Sequence, residues 1–297
     1  MVKVKKIKKI LCPIDLSQYS LATIDYAVKF GDRYNAIPNL VYVSTKPPEV
    51  YYRFFPDAVS YLRSLEENVQ NDIRNFTQTM EHDLKVTVRY GDIYREILTY
   101  AVEMAADLII MQANSYSAIK DRKLGMVAHK VIRKAECPVL TLYDATSWHD
   151  VHSILCPLDL SLRSYEGLDQ AVHLAEVYQA KLYVLHVIEL DKYDAGGEPP
   201  DIQDEDYVKL SKHLRDEIKV PMRYKGVEIE KVISRNSDAA AGIVEFARQN
   251  EIDLIAITTH GHSYWSRMLL GSVTEKVIEV GPCPVLILRL RKGEGDE

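Results

Sequence analysis

The 297-residue chain has four cysteines, and no two stand in C-x-x-C spacing. A zinc knuckle or a dithiol redox pair is therefore not signalled. Cys12, Cys156 and Cys283 border apolar, strand-like runs, and Cys137 precedes Pro138 and the run Val139 to Leu142. Small buried hydrophobes are the expectation for all four. Long apolar runs are missing too: none approaches the ~18 residues that span a bilayer. The basic start, MVKVKKIKKILCPID, carries neither a longer apolar core nor a small-residue cleavage site, so the reading is cytoplasmic with no membrane partner. Excess positive charge is absent, at a net -6, which disfavours nucleic acid as a partner. The lysines at 3, 5, 6, 8 and 9 read as solvated flanks of a first strand. HExxH, a nucleophile elbow and a Walker lysine are all lacking, so no catalytic constellation emerges. What remains, 47% hydrophobic and 27% charged, is ordinary for a globular chain of about two domains.

What the chain does have is a repeat. Cys12-Pro13-Ile14-Asp15-Leu16-Ser17 returns as Cys156-Pro157-Leu158-Asp159-Leu160-Ser161, and Asp107-Leu108-Ile109 as Asp253-Leu254-Ile255. Cys137-Pro138-Val139-Leu140 returns as Cys283-Pro284-Val285-Leu286. Three blocks in one order, 144 to 146 residues apart, mean two copies of one domain, because that period is far too long for a solenoid. The expected domains are 1–146 and 147–297, joined near Asp144 to Asp150.

Each copy alternates short apolar strands with helical stretches. In the first, strands are predicted at Lys9 to Pro13, Leu40 to Val43, Lys85 to Tyr90, Leu108 to Met111 and Val139 to Tyr143. Between them come helices from Ser17 to about Tyr34, Pro56 to Asp83, Tyr94 to Ala105 and Val127 to Lys134. The second copy follows the same plan. The pattern predicts an α/β fold: two tandem, doubly wound, five-stranded parallel sheets. Ligands of such sheets bind beyond the carboxyl ends of the strands, where strand order reverses.

One stretch concentrates the binding signals. Asp253 to Leu290 reads as a strand, a loop with Gly261 and Gly271, a helix to about Val280 and another strand. Ser272 and Glu275 have the spacing of an S-x-x-E capping box. A glycine-bearing loop before a helix N-terminus can cradle an anion, because unpaired N–H groups and the positive end of the dipole point to one place.

Taken together, these residues resemble a tandem universal stress protein, with an adenine-nucleotide alpha-hydrolase-like fold. The family pattern is G-x2-G-x9-G-[S/T] after strand four, with an aspartate ending strand one. The resemblance implies an adenine nucleotide as ligand (ATP, ADP or AMP, with or without Mg) and pairing through strand five. Position by position, Gly261, Gly271 and Ser272 match the last three places of the pattern in the second copy, and Thr258 stands at the first glycine. Asp159 matches the strand-one acid, Val187 the strand-two residue that reads adenine through its backbone, and Val273 the next N–H. Tyr264 stands where many nucleotide-binding members carry a glycine. In the first copy the matching places hold Gln112, Ser115, Gly125 and Met126, with Asp15 on strand one. Met126 is expected to remove the helix cap and to put an apolar side chain at the phosphate position, so that this copy does not bind in the family manner.

Several readings stay open on sequence alone. Asp159 either faces adenine or caps the following helix. His149, His152, His260 and His262 are either a metal site or polar loop residues, and His262 and Arg267 could meet phosphate oxygens instead. The aromatic run Val50 to Phe55 either covers a core edge or stacks on a partner. The two fifth strands can pair within one polypeptide as an internal pseudo-dimer, and a homodimer of such units is the further option. The expected function is a stress-response protein, responsive to one nucleotide bound in the second domain. The alternatives are a nucleotide-free scaffold or a slow ATP hydrolase.

Overall fold

A computed structural model describes residues 7–45, 58–114, 123–143, 148–189, 204–220, 226–258 and 270–289. The first domain runs β1 (Ile10–Ile14), α1 (Gln18–Asp32), β2 (Pro38–Ser44), α2 (Ala58–Thr77), β3 (Val86–Tyr90), α3 (Ile93–Glu103), β4 (Leu108–Gln112), α4 (Met126–Lys134) and β5 (Val139–Leu142). The second runs β6 (Ser153–Pro157), α5 (Leu162–Tyr178), β7 (Lys181–Glu189), α6 (Asp204–Glu217), β8 (Ile229–Asn236), α7 (Ala239–Gln249), β9 (Leu254–Thr258), α8 (Ser272–Val280) and β10 (Val285–Leu288). The expected strands are all present. The second helix ends at Thr77 instead of running to Asp83.

The ten strands form one sheet, ordered β3-β2-β1-β4-β5-β10-β9-β6-β7-β8. Pairing is parallel within each domain and antiparallel once, where β5 meets β10 with Leu140 opposite Leu286. The domains are thus an internal pseudo-dimer joined through their fifth strands. At the joint Thr141 is fully buried, and its hydroxyl donates to Val285 O at 3.1 Å, so the polar group has a partner.

Two apolar layers sandwich the sheet, and each spans both domains. On one side α1 and α5 pack Ile24, Phe30, Leu168 and Tyr178 with Cys12, Cys156 and Leu254. On the other, α3, α4, α7 and α8 pack Ile97, Val131, Val244 and Val277 with Ile109, Ile255 and Ile287. Cover on both faces is why Leu108 to Met111 and Leu254 to Ile257 read as unbroken apolar runs. Burial holds the Cys12 and Cys156 thiols up at about 12, which makes them core groups.

The duplication extends to the backbone. Leu16, Asn35 and Ala105 have left-handed φ of 61°, 53° and 52°, and their counterparts Leu160, Gln179 and Glu251 have 65°, 54° and 47°. Asn35 and Gln179 follow helix ends where Ala36 N reaches back to Gly31 O and Ala180 N to Ala175 O. Sequence reasoning gave the repeated Asp107 and Asp253 no role. Each sits before its strand and receives two N–H groups of the neighbouring first strand: Lys8 and Lys9 for one, His152 and Ser153 for the other.

Candidate functional site

In each domain the chain steps one way from the first strand through the second and third, and the other way through the fourth and fifth. The reversals fall between β1 and β4 and between β6 and β9. The β6–β9 pairing covers only Ile154–Leu254 and Leu155–Ile255, so the carboxyl ends beyond it are open to form a crevice.

On the β6 side of this crevice Leu160 takes its left-handed turn, which folds Asp159 back on Ser161. Asp159 Oδ1 accepts from Ser161 N at 3.0 Å and from Ser161 Oγ at 2.6 Å. Ser161 in turn caps α5, accepting from Ser164 N at 3.2 Å. Asp159 therefore orients the cap rather than being it. In the first copy Asp15 Oδ1 takes Ser17 N and Ser20 Oγ, and Ser17 makes no side-chain cap.

Thr258 ends β9, opposite Leu288 of β10. Its carbonyl accepts from Thr274 Oγ1 at 2.9 Å, which ties α8 to the strand end. Its methyl group faces Gly167 of α5, where an added Cβ would collide with Thr258 Cγ2. The first copy fills the same space the other way round. Gln112 Nε2 reaches Thr23 Oγ1 at 2.6 Å, so the long side chain is on the strand and a hydroxyl replaces the glycine. Val187 lies in β7 beyond the last β6 pair, Pro157–Leu185, and pairs outward with Ser234. The side chain of Val187 packs on Gly242, where a Cβ would come within 2.9 Å of its Cγ1.

The helix start corrects the sequence reading. Gly271, with φ -65° and ψ 141°, is the N-cap of α8, and Ser272 is the first helical residue. The S-x-x-E box is one position out of register: the N-cap Gly271 has no side chain to cap the helix, and Glu275 N bonds Gly271 O inside the first turn. The leading N–H groups, Ser272 and Val273 among them, belong to the set that lacks carbonyl partners within a helix. In the same domain Ser161 caps α5 and Asp238 caps α7 by side chain. Met126 does not remove a cap either. Gly125 caps α4 with φ -63° and ψ 146°, and Met126 is its first helical residue, 72% exposed. The two copies thus share backbone geometry at this point and differ in the side chains around it.

Gly261, His260, His262, Tyr264 and Arg267 lie outside the described residues, as do Ser115 and the aromatic run Val50 to Phe55. His149 and His152 serve the linker: His149 Nε2 is 3.2 Å from Asp253 Oδ1, and His152 N donates to Asp253 Oδ2. Among the described residues no group of three or more histidines, cysteines or acids is placed to hold a metal ion. None of their helices is long and apolar enough to cross a membrane.

Directly after β10, at the same end of the second sheet, Arg289 holds Nε and Nη2 buried without hydrogen-bond partners. Desolvation lowers its pKa, opposed by the nearby Cys137. Across the domain joint, His129 Nε2 of α4 stands 3.8 Å from Glu275 Oε1 of α8, and Leu124 N donates to Glu279 Oε1 at 3.2 Å. Sequence reasoning missed these contacts, since nothing local marks a pairing 155 residues apart.

Two five-stranded α/β units with ligand-type crevices, joined edge to edge, define a tandem-domain protein of the doubly wound class. The sequence profile of the universal stress protein family matches residues 6–142 and again 151–289. The chain belongs to that family. It is 32% identical over 154 residues to universal stress protein YxiE of Bacillus subtilis, covering 46% of this chain and 99% of that one. A universal stress protein of Mycolicibacterium smegmatis matches end to end, 24% identical over 298 residues, with 95% of this chain and 97% of that one covered. Among solved structures, a universal stress protein from Archaeoglobus fulgidus superposes with a TM-score of 0.66 at 20% identity, over 95% of this chain and 98% of that one. At that identity the likeness is one of fold.

Proposed function

We propose that the chain binds one adenine nucleotide (ATP, ADP or AMP, with or without Mg) in the β6–β9 crevice and acts as a nucleotide-responsive module of the stress response. The observation that carries this reading is the start of α8. A glycine N-cap, which has no side chain of its own to cover the leading N–H groups, stands at the carboxyl end of the strands where order reverses. An anion there would meet N–H groups that have no partner within the helix and the positive end of the dipole. Asp159, already oriented by Ser161, and the outlying stretch of β7 at Val187 supply the polar and backbone edges for the base. The residues therefore fit a phosphate at Gly271 to Val273, and the chemistry asked of them is binding. Calorimetric titration of the full chain with Mg-ATP, Mg-ADP and AMP tests it. One binding event is expected, and silence up to millimolar for all three overturns it.

Thr258 favours a second reading, a nucleotide-free scaffold, because a branched side chain takes the first glycine position of the family pattern and packs on Gly167. Native mass spectrometry of freshly purified protein separates the two. A co-purified nucleotide dismisses the scaffold.

A further inference from the structure

A pseudo-two-fold axis relates the copies, and α4 and α8 meet on it. His129 and Glu275 are equivalent residues, 146 apart in the chain, and they face each other across the joint. One turn along α8, Glu279 reaches over to the first domain, where its Oε1 accepts from Leu124 N. Leu124 directly precedes Gly125, the N-cap of α4. A carboxylate from the second domain thus lies at the helix start where a ligand of the first copy would place its own negative charge. It takes up a backbone donor there and repels a second anion.

The same two-fold relates a second set of positions to these. Leu270 is the equivalent of Leu124, again 146 residues on, and directly precedes Gly271. Arg133, in the last turn of α4 and half-buried, is the equivalent of Glu279. The position equivalent to Glu279 on the first domain's helix therefore holds a cation. A second equivalent pair repeats the asymmetry. Arg289, with two buried and unpartnered nitrogens, ends the second sheet where Tyr143 ends the first. A buried guanidinium without an acceptor is costly, and an anion drawn to that end would offset the cost.

We propose that charges exchanged across the two-fold decide which copy accepts an anion: Glu279 closes the α4 start, and Arg133, donated by the first domain, equips the α8 start to hold a ligand's phosphates. This rests on the nucleotide reading above and extends it, making the second domain's site incomplete without the first domain.

The test is calorimetry on the full chain with Mg-ATP and, separately, adenosine. Arg133→Ala is expected to weaken Mg-ATP at least tenfold, the worth of one charge-assisted contact, and to leave adenosine unchanged. Arg133→Lys keeps most of the Mg-ATP affinity, and added salt narrows the gap between wild type and Arg133→Ala. In the other direction, Glu279→Arg creates a second binding event for tripolyphosphate. Wild type that binds Mg-ATP with Arg133→Ala binding it equally well overturns the cross-domain contact and leaves the nucleotide reading standing. Wild type that binds neither probe overturns both. A loss shared equally by Mg-ATP and adenosine makes Arg133 structural, and Glu279→Arg without a second tripolyphosphate event overturns the closure of the first copy.

Discussion

In the first domain the chain ahead of α4 is met by a carboxylate from across the joint; in the second, the residue at that helix position is an arginine. The N-cap backbones at the two places match closely, with Gly125 at φ -63° and ψ 146° and Gly271 at φ -65° and ψ 141°. Two copies of a duplicated fold can diverge in backbone shape or in side chains alone. Here the shape is kept, down to three pairs of left-handed residues, and the differences lie in charge and side-chain volume around it.

The sharpest way to break the comparison is at the two N-caps. Gly271→Val places a branched side chain over the leading donors of α8 and is expected to abolish nucleotide binding in calorimetry. Gly125→Val is expected to leave it unchanged. Neither glycine has a left-handed φ, so the effect of the first would come from blocked approach and not from backbone strain.

The next effect separates the strand ends. Gly167→Ala collides with Thr258 and should cost ~1–3 kcal/mol in urea unfolding, more than the gain of up to ~1 kcal/mol from helix propensity. Adding Thr258→Ala removes the clash, and the cycle should show a coupling of ~1 kcal/mol or more. The corresponding first-copy pair, Thr23 and Gln112, is joined by a hydrogen bond. Thr23→Ala should cost ~1 kcal/mol, with the same sign whether or not Gln112 is kept long.

A smaller effect is expected at Arg289. Arg289→Met removes two buried donors without partners and should raise unfolding stability by ~1 kcal/mol, while lowering affinity for Mg-ATP. A variant that is less stable would show that the guanidinium is not an unmet group.

The smallest effect compares two equivalent caps. Asp238 accepts from Ala241 N at 2.8 Å and lies 3.2 Å from Lys276 Nζ, whereas Asp92 accepts from Arg95 N at 3.3 Å. Asp238→Ala should therefore cost ~1 kcal/mol and Asp92→Ala about half that. The Ala241 N–H, aided by Lys276, lowers the pKa of Asp238 in the folded chain. Its contribution is present above the ordinary carboxylate range, near ~4, and is lost as pH falls through the depressed folded value. The cost of Asp238→Ala should shrink on acidification, read as converging melting temperatures of wild type and variant.

The architecture was legible because it is written in period and burial. Cys-Pro and Asp-Leu-Ile blocks recurring at one spacing give two domains, and apolar runs such as Leu254 to Ile257 give strands covered on both faces. Pairing through the fifth strands was implied by the family resemblance, and pairing within one polypeptide was one option for it. The helix cap was misread by one residue, because Ser272 fits a capping box in sequence and only the backbone shows that Gly271 already holds that place. Glu279, Arg133 and Arg289 could not be found by motif, since their meaning depends on a two-fold axis that sequence spacing does not reveal. The repeated aspartates were seen as markers of the duplication, and their work in holding the first strands came only with the contacts to Lys8, Lys9, His152 and Ser153.

The covalent joining of β5 and β10 partners in one chain has a genetic consequence. When two identical subunits meet across a two-fold, a single codon writes both sides, and a residue that helps one site must appear at the other. Joined in one polypeptide, positions 133 and 279 are separate codons. One can turn acidic and the other basic in a single molecule, an arrangement that a dimer of identical chains cannot reach by any substitution.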